Sequence, residues 1–437
     1  MPGQGTRPRQ VGIIGGGYAG LACAVELARR DVRVAVFEAS RVLGGRARIV
    51  HTDDFHVDNG QHLLLGAYAE TLRLMRTVGV RPGIFDTRPL DLHYPGEFRL
   101  RAAALPAPLH LAVGLLRAEG MSWSERFACL RFLRHLKKQR FRLPVNMTVD
   151  ELLERADQPE RLRRLLWAPL CVAALNTPSA QASARVFATV LRDSLAAGAS
   201  ASEMLLPKVD LSELFPVPAA RWLARHGGHV YVTEPISAIE RTRDGFALKG
   251  DPTPKRRFDQ VVIATAPYHA GDLLSGFPAL APVEAQLAAL TYEPILTTYL
   301  QYDAPVRLAG PMVGTLDGPA EWFFDRAQFG GPDGLIAGVV SASGPHLTVP
   351  RQEIELAMHN QLEGLLGRQL PRPEAILTIV EKRATFACGP NLSRPATRTG
   401  EPGLWLAGDY VDGPYPATIE GAVRSGVACA RAILSAR

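Results

Sequence analysis

Val11-Gly12-Ile13-Ile14-Gly15-Gly16-Gly17-Tyr18-Ala19-Gly20 joins a short apolar run to a G-x-G-x-x-G, and the stretch that follows, 19–30, has helical character. The β-branched runs 9–14 and 33–38 flank that stretch, which makes a βαβ unit at the start of the chain. In such a unit Gly15 permits the tight turn, Gly17 lets backbone approach a pyrophosphate, and Gly20 lets the helix pack close on the strand. The unpaired N–H groups that open the helix then face the phosphates. Glu38 ends the second strand 18 residues after Gly20, where a carboxylate accepts hydrogen bonds from ribose hydroxyls and repels a 2′-phosphate, which disfavours NADP. A glycine-rich turn without a ligand is the plain alternative; the coincidence of strand, spacing, helix and acid argues against it.

NAD and FAD share that fingerprint, so the residues beyond it decide. Gly44-Gly45-Arg46 begins six residues after Glu38 and offers close glycines followed by a guanidinium, whose fixed fork of donors suits a second hold on a pyrophosphate. Arg46 by itself reads as a solvated surface charge; the triplet after the acid gives it the functional reading. Near the other end, Leu404-Trp405-Leu406-Ala407-Gly408-Asp409 reads as a strand closing on an acid placed to hold ribityl hydroxyls. A helix-like stretch, 418–434, then presents its first N–H groups to the pyrimidine end of a flavin, where negative charge gathers on reduction.

The composition is that of a folded body. The chain has 437 residues, 47% hydrophobic and 21% charged, so neither a disordered chain nor a polytopic membrane protein fits. Two or three domains are expected from that length. Five scattered cysteines, with no C-x-x-C, argue against a disulfide framework or zinc ribbon, so no metal site is expected and a reducing cytoplasm is the simplest home. The net charge of +6 points weakly to anionic partners, and no nucleic-acid motif accompanies it. Residues 1–10 are polar and carry no signal-peptide pattern. Residues 102–116 are nearly apolar but too short to span a bilayer and carry Pro106, Pro108 and His110, so they suit a dip into a membrane and not a crossing.

Further strands are expected at 260–265 and 403–407. The interval 117–225 reads as mainly helical, broken at Pro144, Pro169, Pro178 and Pro207, and 295–340 alternates strand-like runs with Gly/Pro turns. Within 121–143 seven bases face one acid, Glu125, and at 100° per residue Cys129, Phe132, Leu133 and Leu136 share an arc opposite Arg131, Arg134, Lys137 and Lys138. That pattern fits an interfacial helix resting on anionic lipid, or equally an ordinary surface helix packed on the core.

Taken together, Gly15 to Gly20, Glu38 with Gly44-Gly45-Arg46, and Ala407-Gly408-Asp409 with Ala417 to Gly421 resemble the FAD-dependent amine oxidase and carotenoid desaturase superfamily. Asp58-Asn59-Gly60-Gln61-His62-Leu63-Leu64-Leu65-Gly66-Ala67-Tyr68, Trp167-Ala168-Pro169-Leu170-Cys171 with Ala174-Leu175-Asn176-Thr177, and Ala384-Thr385-Phe386 are similar to its squalene-associated branch, the hydroxysqualene dehydroxylases of bacterial hopanoid biosynthesis. The resemblance runs from Val11 to Leu434. It implies an α/β fold: a Rossmann-type FAD-binding domain (GR2-like) from 1–95, 215–290 and 395–437, with an inserted α+β substrate domain from 96–214 and 291–394. It implies FAD contacts at Gly15, Gly17, Ala19, Gly20, Glu38, Gly45, Arg46, Gly60, Gln61, Ile236, Asp409 and Ile419. Ile236 enters because Gly227-Gly228 and the run 230–232 match the segment whose next apolar residue lends backbone to adenine.

The implied reaction is reductive removal of an allylic hydroxyl, which needs an acid to protonate the departing oxygen. His62 is the first candidate, with a role in holding a flavin carbonyl or backbone as the alternative. Asp58 either orients His62 or caps a turn. Tyr415 either faces the flavin or packs, and Asn176 either binds the hydroxyl or ends a helix. The implied partners are a hydrophobic isoprenoid substrate, an electron donor for the flavin, and an anionic membrane touched peripherally on its cytoplasmic face. A carotenoid-type desaturase, a flavin amine oxidase and a prenyl-lipid carrier without redox chemistry remain as rivals. An S-G-G-C-Y-type attachment motif is missing, which weighs against the amine oxidase.

Overall fold

A computed structural model of the chain describes residues 10–250 and 256–436. Arg9, expected to begin the first strand, and the signal-peptide reading of 1–9 lie outside the described residues.

Five strands form one parallel sheet. Gln10–Ile14 lies at its centre, with Arg33–Glu38 on one side and Gln260–Ile263 on the other; His229–Val232 and Leu404–Leu406 add at the two edges. Four of the five are almost wholly buried, as expected of apolar strands covered on both faces. Ile14 stands opposite both Phe37 and Ile263, which aligns the C-terminal ends of the central strands. Gly15, Glu38, Ala264 and Ala407 therefore emerge along one edge of the sheet, where ligands bind in open α/β folds.

Two helices from opposite ends of the chain pack together beside this sheet. Tyr18–Ala28 buries ten of its eleven residues and meets Ile419–Ser435, and Val427, Cys429 and Ala430 are buried in the same apolar cluster. Gly426 makes the approach possible: a Cβ there would stand 2.1 Å from the Ala19 carbonyl oxygen. The chain ends are thus locked into one body by close backbone contact.

A second sheet is antiparallel and runs Met312–Gly314, Trp322–Asp325, Leu335–Ser341, Tyr292–Gln301, Ala375–Phe386. With helices drawn mainly from 109–196 it walls the far side of the molecule. We propose the division 1–95, 215–290 and 395–437 against 96–214 and 291–394 as its domain description. One small sheet crosses that division, since Met204–Pro207 pairs with both Leu64–Leu65 and Phe85–Arg88.

Two expectations need correction. Pro169 does not break its helix: a wider π turn, Arg163–Trp167, runs directly into Ala168–Leu175, and Pro169 falls in the first turn after it, where a missing N–H costs least. The apolar arc proposed for lipid on the helix Trp123–Lys138 is also already covered. Cys129, Phe132 and Leu136 are buried, and the Phe132 ring meets Trp167 edge-on at 5.0 Å. Protein, not bilayer, is the partner of that arc.

Candidate active site

Two cavities meet beneath the edge of the parallel sheet. The first is lined by Gly15, Gly17, Ala19, Glu38, Gly45 and Asp409, with Ile236 on its wall as well. The second is lined mostly by apolar side chains, among them Leu92, Leu170, Phe187, Met312, Trp322 and Phe324. Arg46, His62, Glu381, Ala384, Thr418 and Ile419 line both, so they mark the junction.

The first cavity is shaped by its glycines. Gly15 has φ +114°, and a Cβ there would lie 2.5 Å from the Ala264 carbonyl oxygen. A Cβ on Gly17 would meet nothing nearer than the Gly45 Cα at 3.8 Å, so bare backbone faces the cavity there. Gly17 caps the helix Tyr18–Ala28 without a side-chain hydrogen bond, which leaves its first N–H groups free for an anion. Gly20 does not line the cavity; a Cβ on it would press to 2.1 Å from the Gly15 oxygen, so it acts by letting the turn close. Glu38 accepts from Gly16 N–H at 2.7 Å and Ser40 N–H at 2.8 Å, which fixes its carboxylate at the rim. The buried Thr265 hydroxyl, also on the wall, has no partner among the described residues. An anion-holding turn, a fixed acid and an orphaned hydroxyl suit a dinucleotide.

At the junction one Arg46 nitrogen donates to both carboxylate oxygens of Asp409 at 2.7 Å, and the other donates to the Ala384 carbonyl at 2.7 Å. The two ends of the chain are therefore tied across the cavity by a charge-assisted pair. Gly60 and Gln61 line the apolar cavity and not the dinucleotide one. Gln61 accepts from Arg326 at 3.3 Å, and Ile419 opens the C-terminal helix whose cap, Thr418, accepts from Gly421 N–H.

The candidate catalytic residues fall in different places. His62 stands at the junction with Nδ1 2.7 Å from the Gly60 carbonyl oxygen. A carbonyl only accepts, so Nδ1 carries the proton, and burial holds the ring's pKa below its ordinary value against that bond. Neutral His62 therefore offers Nε2 as an acceptor, not a donor. Asn176 takes a left-handed conformation, φ 45°, at the end of its helix. Its amide nitrogen donates to the Pro294 carbonyl and the Thr385 hydroxyl, and its oxygen accepts from Ala342 N–H at 2.8 Å, so the side chain joins three strands' ends and is largely consumed in doing so. The Tyr415 hydroxyl donates to Asp193 and its ring lies 4.6 Å from the Arg424 guanidinium; burial, then Asp193, pushes the phenol well above its ordinary range.

Asp58 lines neither cavity. Its carboxylate accepts from Leu211 N–H at 2.8 Å, and its carbonyl accepts from the Tyr299 hydroxyl. Burial pushes its pKa up to about 7, opposed by the Leu211 bond and by Arg326. The folded chain thus keeps a proton that the unfolded chain releases from about pH 4 upward, so this group's contribution to stability falls as pH rises through that window toward 7. Asp58→Asn keeps the acceptor for Leu211 and removes the titration. The variant's Tm is expected to gain on wild type between about pH 5 and pH 7.5; a constant difference across that range would mean that the carboxyl is ionised throughout.

Sequence reading missed Glu381. It lies on Ala375–Phe386 and accepts from Asn59 Nδ2 at 3.0 Å, while that same amide donates to the Arg46 carbonyl at 3.2 Å. It shares the half-buried side of Ala375, Leu377 and Ile379, and a bulge lies just beyond it. Between the pairs Glu293–Thr385 and Ile295–Glu381 one strand advances two residues and the other four, so simple alternation along 381–385 fails. The only sequence signal is an acid three residues before Ala384-Thr385-Phe386.

The dinucleotide cradle, the C-terminal acid and helix, and the second sheet with its apolar cavity define a flavoprotein oxidoreductase fold. The chain belongs to the flavin containing amine oxidoreductase family, which matches residues 18–434, and its cofactor is FAD. Within that breadth it belongs with the hydroxysqualene dehydroxylases: it is 30% identical to that of Sinorhizobium fredii over 446 residues, covering 98% of this chain and 99% of the relative. It is likewise 30% identical to that of Rhodopseudomonas palustris, covering 98% and 99%. Among solved structures, a putrescine oxidase variant superposes with a TM-score of 0.75 at 16% identity, over 98% of this chain and 99% of that one, which shows the shared fold.

Proposed function

We propose that the protein removes the allylic hydroxyl of hydroxysqualene reductively to give squalene. One observation carries this reading: a cavity shaped for a dinucleotide opens directly on a cavity walled mostly by apolar side chains, with Arg46, His62 and Glu381 where the two meet. A triterpene fits such a wall, and only its hydroxyl needs a polar partner. When bound and reduced, FAD supplies a hydride to the allylic carbon. The C–O bond breaks as the C–H bond forms, and a proton from the chain joins the departing hydroxyl to make water.

Glu381 is that proton source. Among the described residues it is the carboxyl that lines both cavities, and Asn59 steadies it there. The carboxylate left behind keeps the Asn59 N–H and faces the Arg46 charge, which stabilises it. His62, neutral with Nε2 bare, accepts a hydrogen bond from the substrate hydroxyl and orients it toward Glu381. Asn176 and Tyr415 position the walls and take no proton. Arg46 and Asp409 hold the flavin side of the junction, with Gly15, Gly17, Ala19, Glu38, Gly45, Ile236 and Ile419 along the cofactor, while Gly60 and Gln61 shape the substrate side.

The reading places the protein in the cytoplasm, in peripheral contact with the inner face of an anionic membrane, because a C30 alcohol partitions into bilayers. Among the described residues no helix is long and apolar enough to cross one. An external donor must return the flavin to its reduced form. The test is anaerobic: reduce the bound flavin, add hydroxysqualene in detergent, and follow squalene by mass spectrometry together with flavin reoxidation. Squalene formed in step with reoxidation is the expected result. Absence of squalene, with phytoene-like polyenes or amines oxidised instead, would replace the reading by a desaturase or an amine oxidase. A colourless protein that binds the lipid would make it a carrier.

A further inference from the structure

We propose that residues 104–109 and the outer stripe of the helix Trp123–Lys138 form a docking face for an anionic lipid surface. The inference deepens the proposed function, on which it rests for the need to draw substrate from a bilayer; the face itself is read from the fold.

Ala104-Leu105-Pro106-Ala107-Pro108-Leu109 is six consecutive exposed residues without one polar side chain. Leu109 is 52% exposed, and Leu116, two turns on along the helix Leu109–Leu116, is 50% exposed on the same side. Trp123 and Phe127, at 61% and 62%, are exposed aromatic rings whose centroids lie 6.4 Å apart. Arg126 welds these pieces together. Its guanidinium donates to the Leu115 and Ala118 carbonyls at 3.1 and 2.7 Å and lies 4.8 Å from the Trp123 ring. Exposed apolar side chains gathered in this way mark an interaction surface.

The helix Trp123–Lys138 names the partner. At 100° per residue, Trp123, Phe127, Arg131, Arg134 and Lys138 fall within an arc of about 80°, opposite the buried Cys129, Phe132 and Leu136. One outward stripe therefore runs from aromatic rings to bases, the order in which rings settle at an interface and long cationic side chains reach headgroups. Across 104–142 eight bases face two acids, and one of those, Glu125, is spent on the cap of its own helix. A second copy of the chain is a poor occupant, because a two-fold dimer on this face would set those bases against themselves. A bilayer rich in anionic headgroups complements both halves of the stripe.

The face also adjoins the substrate cavity. Ala102 N–H donates to the Leu90 carbonyl at 2.8 Å, and Leu90 lines the apolar cavity. Gly114 allows the helix Leu109–Leu116 to press on the backbone at Arg101 and Ala102, since a Cβ there would come to 2.5 Å from the Arg101 oxygen. One strand separates the docking face from the cavity wall.

The test is flotation of the flavin-loaded protein with vesicles of phosphatidylcholine alone or mixed with phosphatidylglycerol. Wild type is expected to float with the anionic vesicles at least about tenfold better than with the neutral ones, and high salt is expected to weaken that binding. Leu105→Asp with Leu109→Asp, Trp123→Ser with Phe127→Ser, and Arg131→Glu with Arg134→Glu are each expected to lose about tenfold or more in partition. Every substituted side chain is exposed, and retained flavin absorbance and Tm will show that the variants fold. Failure of wild type to float, or undiminished flotation of all three variants, overturns the proposal. So does a wild-type dimer that the Leu105/Leu109 variant dissociates, which would hand the face to a second copy. Flotation needs no substrate, so a protein that floats but yields no squalene refutes the reaction and leaves the docking face standing.

Discussion

Glu381→Gln is expected to lower kcat for dehydroxylation by about 10²- to 10⁴-fold, the range typical of a lost general acid, while flavin content and flavin reduction stay at wild-type levels. The substitution is nearly isosteric, and the glutamine oxygen still accepts from Asn59 Nδ2, so the junction keeps its shape. What it removes is the acidic proton. A hydroxyl departs poorly as hydroxide, so cleavage of the C–O bond stalls without protonation. His62→Gln serves as the control. Because His62 Nδ1 is already committed to the Gly60 carbonyl and burial disfavours its charged form, its loss is expected to raise KM more than it lowers kcat. The reverse pattern, with full turnover in Glu381→Gln and collapse in His62→Gln, would return the proton to the histidine.

The dinucleotide half of this picture was legible in the sequence because its signals are local. Gly15, Gly17 and Glu38 carry their meaning in spacing along one strand, one turn and one helix, and over the described residues the strands Gln10–Ile14 and Arg33–Glu38 match the expected runs. Even the meeting of the chain ends was foreshadowed, since Asp409 closes a strand in the same manner as Glu38. The substrate half resisted for a physical reason. Glu381 lies on the half-buried side of its strand just before two extra residues bulge opposite Pro294, and Asn176 is drawn into a network with residues 118 and 209 positions away. Periodicity sees neither a bulge nor a long-range amide. The basic helix shows a subtler limit: its apolar arc and its exposed aromatic stripe are different faces, and a wheel drawn from sequence weighs hydrophobicity without seeing that Trp167 already occupies the first.

Gly20→Ala and Gly426→Ala are each expected to cost most of the bound flavin, tenfold or more in the flavin-to-protein ratio, together with a fall in Tm. Both positions are helical, so propensity alone would favour alanine by up to about 1 kcal/mol. Sterics decide otherwise. The new Cβ would stand 2.1 Å from the Gly15 oxygen in the first case and 2.1 Å from the Ala19 oxygen in the second. Both obstacles are backbone, which cannot rotate away as a side chain does, so the overpacking cost of about 1–3 kcal/mol seen in ordinary cores is a lower bound here. Either shift displaces the start of the helix Tyr18–Ala28, whose free N–H groups form the anion hold, from the edge of the sheet. Asp409→Asn separates the fold from the grip: it breaks the pair with Arg46 at the junction but leaves both glycine contacts alone. Its flavin is expected to be lost while the melting of the flavin-free protein stays near that of flavin-stripped wild type. Should Gly20→Ala purify with a full complement of flavin, the close contact of helix and turn is not what shapes the cradle. Should Asp409→Asn retain its flavin, the ion pair is a bond between the chain ends and takes no part in holding the cofactor.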